Sequence, residues 1–187
     1  MPYPTKLTAE TIFEAALELF ETGGPDALSM RPLAGALGVR PSSLYRYFSE
    51  RDALLEALET HATRELHRAI YRATQTLTPT DAFLAAAHSY LDYARTHPHL
   101  YSLLVRPRDP YTAEPGPAKD LWQNVLEIVG RMTGNPDDTA AAVAFWAYLH
   151  GFALLERSGQ FGLSGPQGGF QRGLEALLSG FQNSKTG

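Results

Sequence analysis

Cysteine is absent from the 187 residues, which excludes disulfide bonds, thiolate metal ligands and a cysteine nucleophile. An excess of positive charge is also missing, since 16 Lys and Arg stand against 20 Asp and Glu and the formal net charge is -4 at pH 7. A nucleic-acid-binding protein neutralises phosphates with Lys and Arg. Any such role therefore requires positive charge that is concentrated locally.

The residue patterns of enzymes and secreted proteins are missing as well. No nucleophile stands at a recognisable spacing from a base, and the glycines between 159 and 169 do not follow a predicted strand, so no dinucleotide site is expected. The first six residues contain no apolar segment of signal-peptide length. We expect a cytoplasmic protein that is not an enzyme and has no cofactor.

One apolar run, Thr139 to Leu155, approaches the length of a membrane span. It falls short of the roughly 18 to 20 residues that a span requires, and His150 interrupts it. A helix buried on most faces is the interpretation that we prefer. No membrane association is expected.

The apolar residues recur at helical spacing and no segment shows the alternation of a strand, which predicts an all-α fold with about nine helices. Caps, glycines and prolines mark the ends of the predicted helices. Two loops rich in proline or glycine, Arg106 to Pro117 and Gly159 to Gly169, separate the later ones. The predicted helices are Thr8 to Gly23, Ser29 to Leu37, Pro41 to Tyr47, about Glu50 to Thr76, Asp81 to Thr96, Pro98 to Val105, Lys119 to Thr133, Asp138 to Ser158 and Phe170 to Phe181.

Positive charge is concentrated in the segment from Ala27 to Arg51, which contains four arginines and a single acid, Glu50. The same segment has the pattern of a helix-turn-helix, because small and apolar residues recur at fixed offsets and Gly38 supplies a turn. Five residues of its second helix are left to face outward: Ser42, Ser43, Tyr45, Arg46 and Tyr47. Hydroxyl groups and arginine bind phosphate oxygens, and arginine also bridges O6 and N7 of guanine. This segment predicts a DNA-reading surface.

The first 60 residues resemble the N-terminal domain of the tetracycline-repressor (TetR) family, in the runs Ile12 to Phe20, Ser29 to Val39 and Leu44 to Leu55. The resemblance implies a three-helix DNA-binding head over residues 1–50, joined by the fourth helix to a ligand-binding and dimerisation body over residues 51–187. It departs from the family at Pro41-Ser42, where many members have Lys-Gly, so the operator sequence is not predicted. The resemblance assigns DNA contacts to Ser29, Arg31, Arg40, Pro41, Ser42, Ser43, Tyr45, Arg46, Tyr47 and Arg51.

The later part of the chain resembles a TetR C-terminal subfamily named for its Trp, His and Gly, through Trp146-x-x-x-His150-Gly151 and Pro98-His99-Leu100-Tyr101. The resemblance implies a homodimer formed by the last two helices and a pocket for a small hydrophobic effector. Trp146 and His150 also fit a purely structural pair in the core, and both interpretations stay open. The predicted pocket residues are Phe83, Tyr90, Tyr93, Leu104, Trp122, Trp146 and His150.

These expectations combine into a transcriptional regulator whose homodimer binds a palindromic double-stranded operator. A repressor that its effector releases from DNA is the form that the resemblance favours. The alternative is a metal-responsive regulator, because His88 and Asp92 share a helical face and His97 and His99 form a compact pair.

Overall fold

The computed structural model describes residues 7–107 and 116–183. Within those two ranges it contains nine helices and no strand, which confirms the all-α prediction. Most of the loop predicted between Arg106 and Pro117 lies outside the described residues. The helices are α1 (Ala9–Ala27), α2 (Met30–Ala36), α3 (Pro41–Leu44), α4 (Arg51–Thr74), α5 (Pro79–Thr96), α6 (Pro98–Leu104), α7 (Pro117–Thr133), α8 (Thr139–Arg157) and α9 (Gly169–Asn183).

The described chain forms two compact units, and α4 contributes to both. The first unit comprises residues 7–62 and 97–107, and the second comprises 63–96 and 116–183. The first unit extends beyond residue 50 because Leu54 and Leu58 of α4, and Leu100 and Leu103 of α6, belong to the same hydrophobic core as α1 and α2. Burial of these side chains, each worth about 1.5–3 kcal/mol, joins α6 to the N-terminal helices.

The first unit is built around α1, which packs against α2 and α6. Thr8 begins this helix as predicted, since its hydroxyl accepts a hydrogen bond from the Thr11 amide while the Thr11 hydroxyl accepts one from the Thr8 amide. This reciprocal cap satisfies two amides that the helix leaves unpaired. Ile12, Ala16 and Phe20 then form the buried face of the helix.

The end of α1 differs from the prediction. The helical direction breaks at Gly24, whose φ of 69° is left-handed, but a further helical turn follows and reaches Ala27. Pro25 suits the first turn after such a break because its missing N–H would be unpaired there in any case. The imidazole of His99 lies against Gly24, with Nδ1 only 2.7 Å from the position that a Cβ would take. Glycine is therefore required here both for its backbone conformation and for its lack of a side chain.

The second unit is a helical bundle in which α5, α7 and α8 pack against one another and α9 packs against all three. Its core is rich in aromatic rings. Phe83 of α5 lies 4.3 Å from Phe145 of α8 and 5.9 Å from Phe181 of α9, measured between ring centroids. These contacts join three helices that are far apart in the sequence.

Candidate DNA-binding surface and effector site

The helix-turn-helix of the first unit consists of α2, a turn over residues 37–40, and α3. The turn is closed by hydrogen bonds from the Gly38 amide to the Gly35 carbonyl and from the Val39 amide to the Ala34 carbonyl, at 3.2 and 2.9 Å. Gly38 has a φ of 66°, as its predicted role in the turn requires. α3 ends at Leu44, earlier than the predicted Tyr47, and residues 45–47 continue as turns.

Seven of the ten residues predicted to contact DNA are exposed, while Leu44, the last residue of α3, is fully buried. Leu44 packs in the hydrophobic core and anchors α3 there, which leaves the polar residues around it exposed to solvent. Ser29, Ser43 and Arg51 are partly buried. The exposed seven are Arg31, Arg40, Pro41, Ser42, Tyr45, Arg46 and Tyr47.

Two tyrosines stand at the end of this surface and differ in their partners. The ring of Tyr45 is 52% exposed. The Tyr47 hydroxyl donates a 2.8 Å hydrogen bond to the carbonyl of Leu7, and the Arg46 guanidinium lies 5.8 Å from the centroid of the Tyr47 ring. Tyr47 therefore ties the end of the helix-turn-helix to the residues just before α1, whereas the phosphate contact expected of the exposed Tyr45 stays a prediction.

Arg51, in the first turn of α4, hydrogen bonds within the protein. Its Nε donates to the Leu28 carbonyl at 2.7 Å and its Nη2 donates to the Pro25 carbonyl at 2.6 Å. These bonds fix the connection between α1 and α2, and the phosphate contact expected of Arg51 stays a prediction. Ser29 occupies the N-cap position of α2, but its side chain makes no capping hydrogen bond.

Three of the predicted pocket residues form one cluster in the second unit. Tyr90 of α5 hydrogen bonds to Nδ1 of His150 on α8. Trp146 lies one turn before His150, with its ring centroid 4.7 Å from His150 and 5.6 Å from Tyr90. Tyr90 is fully buried, whereas Trp146 and His150 are half-buried and keep part of their surface accessible. We call Tyr90, Trp146 and His150 the aromatic cluster.

The other predicted pocket residues are more dispersed. Phe83 and Tyr93 are buried on α5, and Trp122 is half-buried on α7. Leu104 packs instead against the core of the first unit. The sequence does not show this, because α6 follows α5 directly in the chain although it belongs to the other unit.

Burial lowers the pKa of His150 to about 4, so the imidazole is neutral at pH 7. An unfolded chain protonates the same group near pH 6.5. Between these two values the unfolded state binds a proton that the folded state does not. The contribution of His150 to stability is therefore present above pH 6.5 and is lost as the pH falls towards 4.

We expect the free energy of unfolding to drop by about 2 kcal/mol between pH 7 and pH 5 through His150 alone. The measurement is urea denaturation at several pH values for the natural chain and for His150→Gln, which retains a polar group but does not titrate. The variant should lose that part of the pH dependence. If the free energy of unfolding falls equally with pH in both proteins, folding does not lower the pKa of His150.

The histidines of the metal alternative have other contacts. His88 is exposed on α5, where its Nδ1 lies 2.8 Å from the Leu84 carbonyl. His97 Nδ1 pairs with Oε1 of Glu21 at 2.8 Å, and His99 packs on Gly24. Across residues 7–107 and 116–183, His, Asp and Glu form no group of three that could hold a metal ion.

Two polar features of the second unit were not predicted. Arg95 of α5 forms a two-pronged ion pair with Glu156 of α8, at 2.8 and 2.6 Å, and lowers the pKa of that carboxyl group. Asn124 of α7 is a polar residue that is buried in an apolar helix face, beside Val125 and Ile128. Asn124 could have been found in the sequence, because it is an amide on an otherwise apolar helical face. The ion pair could not, because it joins residues 61 positions apart.

Comparison with known proteins agrees with this architecture. Residues 12–58 match the sequence model of the bacterial regulatory proteins of the tetR family, and residues 83–177 match that of the tetracyclin repressor-like C-terminal domain. The second match includes the Trp146 to Gly151 motif. A helix-turn-helix-type transcriptional regulator of Mycobacterium tuberculosis is 34% identical over 83% of this chain and 73% of its own. The class G tetracycline repressor protein of Vibrio anguillarum is 28% identical over 95% of each chain.

Solved structures show the same fold. A Rhodococcus protein of unknown function superposes with a TM-score of 0.78 over 96% of this chain and 98% of its own, at 23% identity. A TetR variant from Acinetobacter baumannii in complex with minocycline superposes with a TM-score of 0.71 over 97% and 100%, at 24% identity. The helix-turn-helix, the helical body and the similarity to these relatives together identify the protein as a DNA-binding transcriptional regulator. The chain belongs to the TetR family.

Proposed function

We propose that the protein is a repressor that binds a palindromic double-stranded operator as a homodimer and is released by a small hydrophobic effector. DNA binding is supported by three exposed side chains, Arg40, Tyr45 and Arg46, which surround the fully buried Leu44. Arg40 directly precedes α3 and Tyr45 and Arg46 directly follow it. Their arginine and hydroxyl groups are the kinds that contact phosphates and base edges. Operator DNA also implies that the protein acts in the cytoplasm.

The homodimer is supported by the outward face of α8. Val143, Leu154 and Leu155 are 52%, 42% and 47% exposed, and Ala144 and Ala147 on the same helix are exposed as well. α8 is long and apolar enough to cross a membrane by length and composition alone, with only 33% of that stretch buried. A second copy of the chain would cover such a face, because two identical small-residue surfaces permit close helix packing.

The effector site is supported by the aromatic cluster. Trp146 and His150 are half-buried and offer an apolar surface with one polar edge, as in sites for small aromatic molecules. The Acinetobacter baumannii variant with the same fold was solved in complex with minocycline. In this mechanism the effector favours a conformation that binds DNA poorly, and its differential affinity for that conformation sets the extent of release.

Selection of bound sequences from random DNA tests the proposal. We expect a palindromic consensus whose half-site centres lie about 34–36 Å apart, bound by a protein dimer. Adding a panel of small aromatic compounds to the complex should then release the DNA with at least one of them. Failure to enrich any sequence, or enrichment of an unpaired half-site by a monomer, would contradict the proposed mode of binding.

A further inference from the structure

Asn124 is the one residue on the inner face of α7 whose chemistry does not fit its surroundings. It is 8% exposed, and no donor in the described ranges lies within hydrogen-bonding distance of its Oδ1. The remaining buried face of the helix consists largely of Leu121, Val125, Ile128 and Met132. A buried carbonyl oxygen without a donor keeps the full cost of its removal from water. Such a group is therefore a candidate for a ligand contact.

The position of Asn124 along the bundle follows from contacts at the other end of α7. The Thr80 hydroxyl contacts the sulfur of Met132 at 3.8 Å, and Arg131 donates to the Leu77 carbonyl at 2.8 Å. The end of α7 thus lies beside the start of α5, and the two packed helices run in opposite directions.

Similar distances along the two helices bring Asn124 close to the level of the aromatic cluster. Ten residues separate Thr80 from Tyr90 and eight separate Met132 from Asn124, which is about 15 Å and about 12 Å at the helical rise per residue. α7 packs against α8 as well as α5, and Tyr90 is hydrogen bonded to His150 of α8. By this count Asn124 lies within about one helical turn of the level of Tyr90, the residue of α5 that is hydrogen bonded to His150.

We propose that Oδ1 of Asn124 accepts a hydrogen bond from an O–H or N–H group of the effector. The inference rests on the proposed effector function and adds the chemical class of the molecule: an aromatic compound with at least one hydrogen-bond donor, rather than a pure hydrocarbon. The aromatic cluster contacts its rings, and Asn124 selects for the donor. A polar site of this kind discriminates strongly, because an analogue without the donor leaves the buried oxygen unpaired.

Matched probes that differ only in the donor test this contact. Naphthol and its methyl ether form one pair, and indole and N-methylindole form a second. We expect the natural chain to bind the donor-bearing member of each pair about 10-fold more tightly, in line with the loss of one buried hydrogen bond. Titration calorimetry and thermal shift provide the measurement.

The test variant is Asn124→Leu, which has nearly the same size and no polar atom. We expect its preference within each probe pair to disappear, its affinity for selected operator DNA to stay unchanged, and its folding equilibrium constant to stay equal or to rise. Gln123→Leu is the matched control, because it removes a side-chain amide from the exposed position directly before Asn124 in α7. The control should keep the preference of the natural chain.

Three results would overturn the assignment. They are a retained donor preference in Asn124→Leu, a 10-fold or greater loss in its folding equilibrium constant, and failure of every donor-bearing probe to bind the natural chain at millimolar concentration. The second result would mean that the amide serves the folded protein itself. The proposed repressor function fails separately: if the probes bind with the expected preference but never alter operator affinity, the release mechanism is wrong and the Asn124 contact stands.

Discussion

Arg46→Ala is expected to weaken binding of the selected operator about 10- to 100-fold and to leave the free energy of unfolding unchanged. The side chain is exposed at the end of the helix-turn-helix, so its removal disturbs no core packing. A good contact between arginine and a base edge contributes about 1–3 kcal/mol, or roughly 5- to 150-fold in affinity, which includes the expected loss. Fluorescence anisotropy with operator and with scrambled DNA, over a series of salt concentrations, measures the effect and separates base readout from phosphate contact.

Arg72→Ala is the matched control, since it removes an arginine from the exposed surface near the end of α4 in the second unit. It should change operator affinity by less than about 2-fold, in keeping with a solvent-screened charge outside the helix-turn-helix. Arg51→Ala should behave differently from both: loss of the bonds to Pro25 and Leu28 lowers stability as well as affinity for all DNA. Equal and salt-independent affinities for the Arg46 and Arg51 variants would contradict the assigned surface.

A charge placed on the outward face of α8 is expected to convert the dimer into a monomer. The double variant Val143→Asp, Leu154→Asp introduces two carboxylates into the face that we propose is covered by a second copy. Burying an unpaired charge costs several kcal/mol, so the dimer dissociation constant should rise by at least about 100-fold. Sedimentation at micromolar concentration should show a monomer, and operator affinity should fall with it because one half-site contact is lost.

Tyr71→Asp is the control for this experiment. Tyr71 is a large side chain on α4 that is 49% exposed, close to the values for Val143 and Leu154, but it stands on a different helix. Its replacement should leave the sedimentation coefficient unchanged. A monomeric natural chain, or a double variant that stays dimeric, would show that the exposed face of α8 has another function.

Features that depend on neighbouring residues in the chain were predictable. The cap at Thr8, the turn at Gly38 and the end of α7 at Thr133 each follow from the conformational preference of one residue type. The residue directly after α7 is Gly134, whose φ of 81° is left-handed. The helix-turn-helix and its exposed residues were also predictable from local sequence, because the spacing of apolar residues determines which face of a short helix is buried.

Features that depend on tertiary packing were not predictable. The hydrogen bond between Tyr90 and His150 and the ion pair between Arg95 and Glu156 join residues about 60 positions apart. Leu104 was predicted as an apolar residue of the pocket, yet its packing partners lie in the core of the first unit. Sequence spacing specifies one face of a helix, and only the three-dimensional packing specifies which other helix meets that face.

The membership of α6 in the first unit has a consequence for protein engineering. One design for a hybrid regulator cuts a chain after its DNA-binding segment and joins another body to it. A cut at residue 50 of this chain would remove Leu54 and Leu58, and any cut before residue 97 would also remove Leu100 and Leu103, from the core beneath the helix-turn-helix. The transferable part is therefore discontinuous, and a chimera that preserves DNA binding must replace residues 63–96 and the chain after 107 while keeping residues 97–107.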